Sequence, residues 1–158
     1  MRKTILTPDS TTHDDTAEAG WLDLDALATI EITSEDPDHP IERALVPGEV
    51  AGGWRAALPG EQTLRVRFDA PRSITRIAMF FEDARRTRTQ ELALAWSSDG
   101  ETFRELLRQR WNFSPEGSTR EHEDVRVQLE AVKALQLTLR ADVTDAAMLA
   151  SLERLRVR

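Results

Sequence analysis

Residues 62–68 have the sequence QTLRVRF, and this stretch decides the fold class. Leu64, Val66 and Phe68 alternate with polar or charged residues, so one face of the segment is apolar and the other is hydrophilic. Successive side chains of a β-strand point to opposite faces of a sheet, so this period of two predicts a strand with one buried face. We therefore expect a fold built from strands whose apolar faces meet.

The same pattern recurs along the chain. A more continuously apolar segment at residues 74–81 predicts a central strand, and the Asp99-Gly100 pair predicts a hairpin turn. Further alternating segments lie at residues 30–32, 92–96, 102–109, 125–129, 135–139 and 155–157. About eight short strands separated by turns predict an all-β, antiparallel β-sandwich or barrel.

Composition excludes several classes of protein. The 158 residues are enough for one domain with its own core. The absence of cysteine excludes disulfides, thiolate zinc sites, iron–sulfur clusters and a cysteine nucleophile. The formal net charge of −7 argues against partners that are nucleic acids or anionic membrane surfaces. No apolar run is long enough for a membrane span.

The N-terminal part differs from the rest. Residues 1–20 are polar and lack periodicity, which predicts a flexible tail, followed by a single β-sandwich domain at residues 21–158. Within that domain, residues 21–27 predict a short amphipathic turn that covers an open end of the core. Because the first ten residues contain no apolar stretch typical of a secretory signal, we expect a cytoplasmic location.

Strand counting predicts which end of the sandwich carries the site. If consecutive strands are antiparallel, the connections between them alternate between the two ends. The short turns at one end are then residues 70–72, 98–101 and 130–133. The long connections at the other end are residues 51–62, 82–90, 110–120 and 140–150. Binding residues are often found in long loops on a rigid β scaffold, so we expect them at this second end.

Several local patterns follow one another in an order that suggests a family. They are RAL at 43–45, GWRA at 53–56, QTLRVRF at 62–68, ITRI at 74–77 and WSSDGETF at 96–103. In this order they resemble the galactose-binding-like β-sandwich, also called the discoidin or coagulation-factor C-type domain, a fold shared with family 32 carbohydrate-binding modules. The resemblance covers about two-thirds of the chain and implies an antiparallel jelly-roll-type β-sandwich.

The resemblance also implies a function. It predicts a non-catalytic carbohydrate-binding module whose partner is a carbohydrate or another small polar ligand. The alternative is a protein–protein interaction or scaffold domain, since one fold hosts many binding roles. The sequence has no nucleophile elbow, phosphate-binding loop, His-Glu-x-x-His pair or dinucleotide-binding glycine motif, so we do not expect an enzyme.

The strongest candidate for the ligand contact is the segment Trp111-Asn112-Phe113. Aromatic rings offer apolar faces on which a sugar ring can stack, and an asparagine amide donates and accepts hydrogen bonds. We predict stacking by Trp111 or Phe113 and hydrogen bonds from Asn112. The alternative is that the segment folds its own rings inward over the end of the sandwich.

Cationic and imidazole side chains complete the predicted site. Arg85 and Arg86 form a local basic cluster, and planar guanidinium groups suit carboxylates, phosphates or neighbouring hydroxyls. Alternatively, they pair with nearby carboxylates such as Glu82 in a solvated loop. We add Arg55 and, because some sugar-binding relatives place a histidine in an early loop, His39.

Two further expectations concern Trp54 and metal. Trp54 is either a sugar-stacking platform or a core residue beneath the loops, which is its usual role in the family. Many relatives carry an aspartate two residues beyond the position of Ala44, where it helps to bind a structural calcium. Val46 stands there instead, so we expect no structural calcium and no other cofactor.

Overall fold

The computed structural model describes residues 20–47, 52–83, 88–113, 117, 119–141 and 148–158. The predicted tail therefore lies, apart from Gly20, outside the described residues. The elements in chain order are α1 (Leu24–Leu27), β1 (Ala28–Ile32), α2 (Glu42–Leu45), β2 (Trp54–Arg55), β3 (Glu61–Glu82), β4 (Arg88–Ser97), β5 (Arg104–Phe113), β6 (Arg120–Ala141), β7 (Ser151–Leu152) and β8 (Arg154–Val157). Across these ranges, no helix is long and apolar enough to cross a membrane.

Two long strands, β3 and β6, form an antiparallel ribbon that organises the fold. Each has 22 residues, and their pairing runs from Glu61 opposite Arg140 to Glu82 opposite Arg120. The first half of β3 also pairs with β1, and its second half pairs with β8. The second half of β6 pairs with β4, which in turn pairs with β5.

The ribbon bends where its register shifts, between Arg67 and Arg76 of β3. Before the bend the even-numbered residues Leu64 and Val66 are buried, whereas after it the odd-numbered residues are buried. On β6, Ala131 has a positive φ of 54° at the same place. Because an extra residue in one strand re-aims the side chains that follow, the ribbon contributes to both layers of the sandwich.

The first, five-stranded layer has the order β1, β3, β6, β4, β5. The second, three-stranded layer consists of the first half of β6, the second half of β3, and β8. Their apolar faces meet in a core where Leu64, Leu137, Ile77 and Met79 are at most 1% exposed. The prediction of an antiparallel β-sandwich is confirmed.

The differences from the predicted elements are small. The two pairs of strands predicted on either side of the bend are continuous as β3 and β6. The predicted turn at residues 21–27 is α1, which begins at the cap Asp23 and buries Leu24. The one-turn helix α2 and the two-residue strands β2 and β7 were not predicted, because segments this short carry no periodicity.

The predicted hairpin between β4 and β5 is fixed by one carboxylate. Oδ1 of Asp99 accepts hydrogen bonds from the backbone N–H groups of Thr102 at 2.7 Å and Glu101 at 2.8 Å, and from Ser97 Oγ at 2.7 Å. These bonds, led by that from Thr102, hold the pKa of the Asp99 carboxyl well below its usual range. The turn is therefore stabilised by the ionised form of Asp99.

We predict that Asp99→Ala lowers the melting temperature by a few degrees at pH 7, because three donors lose their acceptor. The pKa of Asp99 is lower in the folded than in the unfolded protein. This stabilisation is therefore complete well above the unfolded pKa of about 4, and it declines as the pH falls from there toward the lower folded pKa. Thermal unfolding of both proteins at pH 7 and pH 3 measures the difference, with Glu101→Ala as the control. A difference that stays constant down to pH 3 would contradict this role.

Candidate functional site

The described parts of the four long connections lie together at one end of the sandwich, which we call the loop end. Strand β4 begins there, with Gln90 opposite Ala141 at the end of β6. Phe81, near the end of β3, packs its ring against Trp111 of β5 at a centroid distance of 4.5 Å. The Asp99 hairpin lies at the opposite end, together with the bend of the ribbon, which replaces the predicted turns at residues 70–72 and 130–133.

Side-chain hydrogen bonds hold the loops after β1 and β2 in place. Trp54 Nε1 donates to the carbonyl of Ser34 at 3.1 Å, and Ser34 Oγ donates to Gln62 Oε1 at 2.7 Å. Gln62 Nε2 in turn donates to the carbonyl of Leu58 at 3.1 Å. Trp54 is only 1% exposed, so of its two predicted roles the core role is the correct one.

A second network joins β4 to the segment before β8. The Gln90 side chain is fully buried; its Nε2 donates to the carbonyl of Ser151 at 3.0 Å, and its Oε1 accepts from the Ser151 N–H at 3.1 Å. Ser151 lies opposite Arg55 in the β2–β7 pair. The loop end is therefore tied together across β4, β7 and β2.

Arg55 and His39 are brought together by their backbones. The Arg55 N–H donates to the His39 carbonyl at 3.1 Å, and the Arg55 carbonyl accepts from the Asp36 N–H at 2.8 Å. His39 Nδ1 lies 3.5 Å from Asp36 Oδ2. Both predicted side chains are partly exposed at the loop end, His39 at 23%, although Nδ1 of His39 is itself buried.

The structure separates the three residues of the strongest predicted contact. Strand β5 continues through Phe113, so side-chain alternation applies where we predicted a loop. Trp111 is 8% exposed and Phe113 is fully buried, whereas Asn112 points to the outer face and accepts a hydrogen bond from Thr89 Oγ1 at 2.8 Å. The prediction that Phe113 stacks on a sugar ring is therefore wrong, and the alternative prediction, that both rings face inward, is correct. Arg85 and Arg86 lie outside the described residues.

The residues that order the loop end were missed by sequence reasoning. Gln62 and Gln90 are polar residues at inward positions of strands, at 1% and 0% exposure. A glutamine at an inward position can be recognised from the sequence, and it indicates a hydrogen-bond partner in the core because buried polar groups require one. Their partners, Ser34 and Ser151, are distant in sequence and carry no such signal. Among the residues that the structure describes, no three acidic or histidine side chains cluster closely enough to hold a metal ion.

A glycine at the start of β2 permits the close approach of β7. Gly53 has a φ of 55°, and a Cβ there would overlap the carbonyl oxygen of Leu152 and lie 2.5 Å from Glu153 Cα. Gly60 also has a positive φ, of 90°, but a Cβ there would have no atom within 4 Å. An alanine at Gly60 would introduce backbone strain alone, whereas an alanine at Gly53 would introduce both backbone strain and steric overlap.

We predict that Gly60→Ala costs roughly 1–2 kcal/mol of unfolding free energy, from the left-handed backbone alone. Gly53→Ala should cost clearly more, because β2 and β7 must also move apart. Denaturant unfolding of the two variants provides the comparison. Equal losses would show that the β2–β7 contact does not constrain the loop end.

Comparison with known proteins agrees with this architecture. The model of the F5/8 type C domain matches residues 29–152. A search of curated proteins finds no match. Among solved structures, the family 32 carbohydrate-binding module of NanJ from C. perfringens, in complex with galactose, superposes with a TM-score of 0.64 at 17% identity, covering 87% of this chain and 96% of that one.

Two further neighbours are of the same kind. A family 32 module from a family 31 glycoside hydrolase of Clostridium perfringens superposes with a TM-score of 0.64 at 18% identity, covering 87% of this chain and 93% of that one. The family 32 module of AlyQ, in complex with 4,5-unsaturated mannuronic acid, has a TM-score of 0.61 at 12% identity, covering 84% and 95%. These likenesses show the galactose-binding-like fold and confirm the resemblance read from the sequence. The chain belongs to the F5/8 type C, or discoidin, domain family.

Proposed function

We propose that this chain is a non-catalytic carbohydrate-binding module that binds a small polyhydroxylated ligand at the loop end. The observation that carries the proposal is a set of loops held in place by buried glutamines, in a fold whose solved neighbours bind sugars. Loops that are ordered before binding support this role, because little conformational entropy is then lost when the ligand binds.

The proposed contacts are the accessible polar groups of the loop end. Arg55 supplies a planar guanidinium and His39 an imidazole, each able to hydrogen-bond to neighbouring hydroxyls. Arg85 and Arg86 remain proposed donors from their sequence position, and Asn112 is a donor at the rim. Trp111, which is only 8% exposed, has at most a minor stacking role.

The described surface favours a small polar ligand over a protein partner. Leu58 is the one large hydrophobic side chain that is exposed within the described ranges, at 57%. Tight protein interfaces have a buried apolar centre with several aromatic or aliphatic anchors. A single exposed leucine does not provide that centre, so the interaction-domain alternative has less support.

We predict weak binding, with a dissociation constant of about 0.1–1 mM, because each exposed hydrogen bond contributes only about 0.5–1.5 kcal/mol. Titration of the ¹⁵N-labelled protein with galactose, N-acetylgalactosamine and short oligosaccharides should shift amides of residues 34–41 and 52–58. Arg55→Ala should weaken binding by about three- to tenfold.

The matched control is Arg104→Ala, which removes an exposed arginine from the opposite end of the sandwich. It should leave the affinity unchanged. Identical shifts in Arg55→Ala, His39→Ala and the wild type would place the site elsewhere. A complete absence of shifts with every sugar at tens of millimolar would contradict carbohydrate binding and favour the interaction-domain alternative.

A further inference from the structure

The outer face of the three-stranded layer carries an unusual concentration of arginine. Ile77, Met79 and Leu155 point into the core, so the residues between them on β3, β6 and β8 point outward. We call this surface the arginine face. Its cationic residues are Arg76, Arg120, Arg126, Arg154, Arg156 and Arg158.

Only part of this positive charge is neutralised within the face. Arg76 donates two hydrogen bonds to Asp124, at 2.8 and 2.6 Å, and these lower the pKa of the Asp124 carboxyl. Arg120 pairs with Glu82 at 3.3 Å. Neither Arg126 nor Arg154 lies within 4 Å of a described carboxylate oxygen, although the charge of Arg126 also helps to lower the pKa of Asp124. Six arginines thus share a surface with two described carboxylates, although the whole chain has a net charge of −7.

The middle of the face is apolar. Ala78 and Phe80 lie on the central strand β3, half-exposed, with cations from β8 on one side and residues of β6 on the other. Phe80 lies 6.0 Å from the His122 ring, centroid to centroid. At one end, Trp21 lies beneath the guanidinium groups of Arg76 and Arg158, at 5.1 and 5.4 Å. The result is a small apolar floor, bordered by Arg154 and Arg156 of β8 on one side and by His122 and Asp124 of β6 on the other.

Charge and shape together indicate the ligand. Arg154 on β8 and Arg126 on β6 lie on opposite sides of β3, so together they suit a molecule that carries more than one negative charge. Guanidinium groups bind carboxylates through paired hydrogen bonds, and an apolar floor suits the C–H faces of sugar rings. The net negative charge of the remaining surface disfavours long, densely charged polymers such as nucleic acids.

We propose that the arginine face is a second carbohydrate-binding surface, separate from the loop end, that binds an oligosaccharide bearing carboxylates. The proposal rests on the proposed function in that the chain binds sugars, but it uses different residues. Arg126 and Arg154 contact the carboxylates, while Phe80 and Ala78 lie beneath the sugar rings.

The test uses the full chain and two forms of one probe, hexagalacturonate and its fully methyl-esterified counterpart. Isothermal titration should show binding of the acid form that weakens as NaCl rises from 0.05 to 0.5 M, and no binding of the ester. The double variant Arg126→Gln/Arg154→Gln should bind about tenfold more weakly, the size expected for two exposed ion pairs. The control Arg104→Gln/Arg110→Gln removes the same charge from the five-stranded layer and should bind as the wild type does.

Four outcomes would overturn the inference. The first is no binding of hexagalacturonate, and the second is equal weakening in both double variants, which would indicate a general charge effect. The third is binding of a hexaglutamate peptide or a short single-stranded DNA as tightly as the uronate. The fourth is loss of uronate binding in Arg55→Ala but not in Arg126→Gln/Arg154→Gln, which would place acidic sugars at the loop end and leave the proposed function intact.

Discussion

The pairing of β3 with β6 is the interaction on which the rest of the structure depends. Both layers of the sandwich contain one half of this ribbon, and every other strand of the two layers pairs with it directly or through β4. Because the ribbon bends, one pair of strands contributes an apolar face to both layers. The buried residues are even-numbered before the bend, as at Val66, and odd-numbered after it, as at Ile77. The same bend brings both open ends of the ribbon to the loop end, so the site is positioned by the fold's most extensive contact.

The two proposed binding surfaces follow from the two kinds of surface that this ribbon creates. At the loop end, Gln62 and Gln90 project from the ribbon and its neighbour β4 to fix loops that are distant in sequence. On the outer face of the three-stranded layer, alternation alone brings arginines of three strands together. We propose that the first surface binds the hydroxyl groups of a sugar and that the second binds carboxylates.

Side-chain alternation predicted the strands well because it reflects a local constraint. The Leu64-Val66-Phe68 pattern and the Asp99-Gly100 turn are both present as predicted. The site was less predictable. The predicted strand at residues 102–109 ends four residues before Phe113, so it did not include the alternation that points Asn112 away from the two rings. The contacts of Ser34 with Gln62, and of Ser151 with Gln90, are long-range and leave no local pattern.

Native-state hydrogen exchange tests most directly whether the β3–β6 ribbon holds the fold together. The account predicts that the hydrogen-bonded amides of β3 and β6 exchange most slowly, with opening free energies equal to that of global unfolding. Amides of β2 and β7 should exchange through smaller, local openings. The account would be contradicted if ribbon amides exchanged through a partial opening while the β4–β5 hairpin stayed protected, because the hairpin would then be the more stable unit.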